Sequence, residues 1–235
     1  MKRSVLLATI LIVMCAGMAS AIPTCVSGGT LASYEGLTSG CIYDNNLLFS
    51  NFVYGNTFAG NGAAVSNASV ILTLVGAGSY NRGIVFSTTS DSTGWSVQVN
   101  EPGGLSFVDS SIQFTVTELS GGMLEDGTLS LLSFATSGSG RATIGETINP
   151  GGVPPGLQYT VKGTGPLVMH EIYPASTLVS VLKDIQVRVP NGGTGSATIS
   201  SFEEDFSQMP EPVGSVLIGS GLLALGIWRR RVSRG

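Results

Sequence analysis

From Leu47 to Phe206 the chain is a succession of short runs rich in β-branched and aromatic residues, each ended by Gly, Ser, Asn or Pro. That punctuation restricts it to strands and turns. In the clearest run, Ile112, Phe114 and Val116 alternate with Gln113, Thr115 and Thr117, the period of a strand with one buried face. Leu47 to Tyr54, Ser69 to Val75, Ile84 to Ser87, Trp95 to Val99, Leu129 to Ala135, Ala142 to Ile148, Leu157 to Val161 and Ile185 to Val189 continue the series. Turn signals separate them at Pro102-Gly103-Gly104, Gly121-Gly122, Asp126-Gly127, Asn149-Pro150-Gly151-Gly152 and Asn191-Gly192-Gly193. The spacing predicts an all-β domain, an antiparallel β-sandwich for which a jelly-roll-like arrangement is one form. Thr177 to Lys183 admits a second reading as one short helix. Ala197 to Phe206 is expected to be the last strand, with Ser207 to Pro210 as a linker.

The chain has 235 residues. Setting its two unusual termini aside leaves residues 22–206, enough for one domain with its own core. The net charge of −4 hides an uneven distribution. Lys2, Arg3, Arg229, Arg230, Arg231 and Arg234 lie in the termini, so only five basic residues accompany the acidic ones that run from Glu35 to Glu211. A body this acidic repels nucleic acid and anionic lipid, which removes a phosphate-backbone partner from the expected functions.

Residues 1–21 have the layout of a secretory signal peptide: Lys2 and Arg3, an apolar run from Val5 to Met14, then Ala19-Ser20-Ala21 as the cleavage site. Cys15 does not suit a lipoprotein site, because the bulky Met14 precedes it. After cleavage two cysteines remain, Cys25 and Cys41, and an oxidising compartment predicts a disulfide between them.

At the other end, residues 207–235 hold Pro210-Glu211-Pro212, an apolar stretch from Val213 to Trp228, and the cluster Arg229, Arg230, Arg231 and Arg234. The prolines favour an extended tripeptide short of backbone donors, suited to presentation to a processing enzyme. As a helix, the apolar stretch would be about 24 Å long against a hydrocarbon core of about 30 Å, a short but feasible span. Trp228 fits the membrane interface, and the arginines keep their end in the cytoplasm, so everything before Pro210 faces outward. A single transmembrane helix is therefore expected in the tail, with the cytoplasmic membrane as a partner.

This tripartite tail, paired with a signal peptide, resembles the PEP-CTERM sorting signal. Near the mature N-terminus, Cys25, Leu31-Ala32-Ser33-Tyr34, Gly40-Cys41 and Leu48-Phe49-Ser50-Asn51-Phe52 are similar to the start of many PEP-CTERM proteins. The resemblance implies that Pro210, Glu211 and Pro212 are recognised by exosortase, a membrane-embedded processing enzyme of Gram-negative bacteria that make exopolysaccharide. The chain would be its substrate, bound for the cell surface or extracellular matrix, with exopolysaccharide as a further partner.

Within the body no constellation demands catalysis, a cofactor or a metal. His170 is the one histidine; beside Met169 and Glu171, with no G-x-S-x-G elbow, it reads as a residue on a strand face. Gly138-Ser139-Gly140 reads as a turn. Glu203-Glu204-Asp205 and Glu125-Asp126 read as solvated faces, with hydrolytic carboxylates as the sharper alternative. Asp44-Asn45-Asn46 and Asn191-Gly192-Gly193 lack the spacing of a calcium loop and read as turns. Trp95 starts an apolar-alternating strand and is expected in the core; exposed, it would offer a sugar-stacking platform instead. The sequence therefore favours a non-catalytic envelope or matrix protein, with a carbohydrate-binding module and a secreted polysaccharide hydrolase as rivals.

Overall fold

The computed structural model describes residues 21–79, 81–89, 94–153 and 156–209. The expected signal peptide with Ala19, the expected sorting motif Pro210, Glu211 and Pro212, the apolar stretch and the expected anchor flank Trp228, Arg229, Arg230 and Arg231 lie outside the described residues; Ala21 is the first described one.

The body is all-β and antiparallel, built as two sheets with a shared apolar core. One sheet runs in the order β1 (Gly29–Thr30), β4 (Val70–Val75), β5 (Asn81–Thr88), β13 (Gly195–Met209), β8 (Met123–Gly138), β11 (Val168–Ser176). β6 (Trp95–Val99) pairs with the first part of β13, on the edge that β5 occupies further along. The other sheet runs β10 (Leu157–Lys162), β9 (Arg141–Pro150), β12 (Leu178–Val189), β7 (Ser106–Glu118), β3 (Leu47–Ala59), β2 (Cys41–Tyr43). From β6 onward the chain crosses between the sheets at nearly every connection, so most strands face a sequence neighbour across the core.

Alternation sets which side chains enter that core. Ile112, Phe114 and Val116 are fully buried, as their pattern predicts. In β3 the phase breaks: a register shift between Ser50 and Val53, with Asn51 at φ 56°, turns both Phe49 and Phe52 inward. Asp44 and Asn45 form the hairpin turn between β2 and β3 with φ of 51° and 67°, the left-handed pair that Asp and Asn tolerate.

Cys25 and Cys41 form a disulfide that holds the segment ahead of β1 against β2. The enclosed loop carries a one-turn helix, α1 (Leu31–Glu35), started by Thr30, whose hydroxyl accepts from the Ser33 N–H at 3.2 Å. Closing a loop of this size removes about 3 kcal/mol of chain entropy from the unfolded state.

Three expectations are corrected. Thr177 to Lys183 is no helix: Leu178–Val189 is one strand, with Val179, Val181, Lys183, Ile185, Val187 and Val189 all inward. A lysine at an inward position disguised that period. Asp126-Gly127 is no turn but lies inside β8, where a Cβ on Gly127 would come within 2.5 Å of Ile148 Cδ1. Glycine there serves close packing. Ser207 to Met209 is no linker, since β13 stays paired with β8 through Met209 and the Ser207 N–H donates to Asp126 Oδ1 at 3.2 Å.

Candidate functional site

Three charged residues occupy inward positions of otherwise apolar strands: Lys183 between Val181 and Ile185 on β12, Glu146 between Ile144 and Ile148 on β9, and Glu204 between Phe202 and Phe206 on β13. Strand pairing sets Glu146 directly beside Lys183 in one sheet. Glu204 reaches the same lysine from the opposite sheet. Lys183 Nζ contacts Oε2 of both carboxylates, and all three side chains are completely shielded from solvent.

The partners around them are equally specific. Tyr159 on β10 donates its hydroxyl to Glu146 Oε1 at 2.8 Å, and Glu204 Oε1 is buried without a hydrogen-bond partner among the described residues. Gly127 leaves room there, because a Cβ on it would lie 3.0 Å from Glu204 Oε1 and 3.2 Å from the Tyr159 hydroxyl. Tyr173 closes the rim by donating to the Asp126 carbonyl at 2.8 Å.

One ammonium and two carboxylates without solvent carry a net negative charge, and burial opposes every charged form. Desolvation lowers the Lys183 amine to about 8, opposed by the Glu204 charge. Desolvation raises the Glu204 carboxyl, with Lys183 pulling it back. Both shifts move the groups toward their neutral forms. A buried ion cluster of this kind adds little stability over apolar packing, yet it penalises misregistration. A one-residue slip of β12 would expose Lys183 and turn Leu182 or Asp184 inward.

Two of the sequence-predicted candidates, His170 and Asp126, are brought together elsewhere, while the acidic run at Glu203 is divided between the core and the surface. In the run Glu203-Glu204-Asp205 only Glu204 is buried, which corrects the expectation of a fully solvated face. His170 does sit on a strand face, in β11, as expected; its Nδ1 is 2.9 Å from Thr128 Oγ1 and its Nε2 is 3.9 Å from Asp126 Oδ2. This trio lies on the outer face of the sheet, across the β8–β11 ladder. Trp95 is fully buried against Phe202 and cannot stack on a sugar. A polar groove of about 510 Å³ does exist on the outside, lined by Asn61, Ser96, Gln98, Ser196 and Thr198 among others.

Among the described residues no group of three or more His, Cys, Asp and Glu could hold a metal, and no helix is long and apolar enough to cross a membrane. Sequence reasoning overlooked Lys183 and Glu146. Their signal was a charge in phase with the apolar positions of its strand, where the hydrophobic pattern invites reading around it. No known protein family, curated protein or solved structure matches the chain.

Proposed function

We propose that the chain is an exported, non-catalytic protein of a bacterial envelope or extracellular matrix. Its β-sandwich, jelly-roll-like in its repeated crossing between sheets, is the cargo of a C-terminal sorting tail processed by exosortase. The observation that carries this reading is the order Pro210-Glu211-Pro212, apolar stretch, arginine cluster, opposite an N-terminal segment with the layout of a signal peptide. Two features of the body support it. β13 stays paired with β8 through Met209, the residue before Pro210 in the sequence. The Cys25–Cys41 disulfide suits a compartment outside the cytoplasm.

Mass spectrometry of the mature protein from its native host tests the proposal: the C-terminus is expected between Pro210 and Pro212. A mature chain that keeps Arg229 to Arg234 overturns it. The outer groove, with its hydroxyls and amides, supports carbohydrate binding as a second reading, tested on a glycan array with the purified body. Binding that Gln98→Ala abolishes would favour it over a purely passive role.

A further inference from the structure

We propose that Lys183 and Glu204 condense spontaneously into an amide that ties one sheet of the sandwich covalently to the other. Lys183 belongs to β12 and Glu204 to β13, and the two meet only because the sheets face each other. Glu146 stands on the other side of the amine, in contact with the same nitrogen, and its remaining oxygen is oriented by Tyr159.

The arrangement supplies each component of the reaction. A desolvated lysine is a competent nucleophile once neutral, and burial favours that form. The acyl group must be an un-ionised acid, and burial raises Glu204, whose Oε1 has no hydrogen-bond partner among the described residues to stabilise a negative charge there. Fixed contact between nucleophile and electrophile replaces an improbable encounter in solution.

In the step itself, the Nζ lone pair attacks Cδ of the Glu204 acid and forms the C–N bond. Glu146 accepts a proton from the nitrogen and passes it to the departing hydroxyl. The C–O bond breaks and one water leaves. Nothing is oxidised or reduced. The product is neutral, so the cluster loses the ammonium while Glu146 keeps its bond from Tyr159. Among the described residues Glu146 is the one further group that hydrogen-bonds the amine, which assigns it the shuttle role.

Peptide mapping of the full chain, with its disulfide reduced, tests the link and does not depend on how either terminus is processed. The expected result is a joined pair of peptides, one containing Lys183 and the other Glu204, lighter than their sum by one water. Glu146→Gln is expected to leave the strand content unchanged by circular dichroism and to restore the separate peptides. Separate, full-mass peptides from the wild-type chain overturn the proposal, and so does a link that joins Lys183 to Glu146. Should Glu146→Gln fail to fold, the wild-type map alone decides the matter.

Discussion

Around Phe114 the two sheets meet through rings, whereas around Lys183 they meet through charge. On the β3 and β7 side, Phe114 packs on Phe49, Phe52, Phe86 and Phe206, with ring centroids 5.4–6.4 Å apart. Phe86 and Phe202 stack at 5.0 Å and pass the contact on to Trp95. Each such pair contributes about 0.5–1.5 kcal/mol beyond burial, and none depends on protonation. On the β9 and β12 side the same inward layer holds Lys183, Glu146, Glu204 and Tyr159. On the aromatic side a one-residue slip of β7 would turn Phe114 outward and bring Gln113 inward, at a cost in lost burial. The charged side adds a polar requirement, because Lys183 must meet both Glu146 and Glu204, and Glu146 must also meet Tyr159. Burial drives one region, and the other fixes which residues face each other.

The comparison can be broken most forcefully by removing the centre of each region. Phe114→Ala is expected to cost about 3–5 kcal/mol through lost burial and the cavity left behind. Lys183→Met is expected to cost roughly 3–5 kcal/mol near neutral pH, because it removes the group that joins Glu146 to Glu204 and leaves both acids buried without that partner. The pH dependence separates the two. Without the lysine, burial holds the folded Glu204 carboxyl above its unfolded value with nothing to pull it back, so the penalty is present at high pH and fades as pH falls towards about 4. Urea unfolding at about pH 5 and about pH 8 should show the Lys183→Met deficit shrinking at the lower pH and the Phe114→Ala deficit unchanged.

A smaller effect is expected at Tyr159. Its hydroxyl donates to Glu146 Oε1, and Tyr159→Phe removes a bond to a charged acceptor that is worth about 1.5–3 kcal/mol. The same measurement checks it, with Tyr54→Phe as a comparison outside the cluster.

Much of this architecture is legible in the sequence. Val70 to Val75, Trp95 to Val99 and Ile112 to Thr117 follow the expected strands closely, because alternation and turn residues agree there. β11 is hard to read because His170, Glu171 and Ile172 put exposed and polar residues on an edge strand. β12 is obscured by Lys183 and β8 by Gly127, and both belong to the charged cluster. Local signals fail where a residue answers to a partner in the other sheet. The disulfide was readable from compartment alone, whereas the triad needed the topology that brings β9, β12 and β13 together.

The smallest effect lies at the outer margin of the cluster. Burial, then the Glu203 and Glu204 charges, push the Asp205 carboxyl up to about 6. An acid raised in the folded state favours folding below its unfolded value, and that contribution is lost as pH rises through about 6. Asp205→Asn should therefore melt higher than the parent above about pH 6 and lose this advantage below about pH 4, as followed by thermal unfolding at several pH values.

The most direct test of a lysine enclosed between two sheets is amine modification of the native protein, read by peptide mapping after unfolding and digestion. Lys162 is exposed at the end of β10 and should be modified readily, while Lys183 should stay untouched in the folded protein. Equal modification of Lys162 and Lys183 in the folded protein would contradict the account.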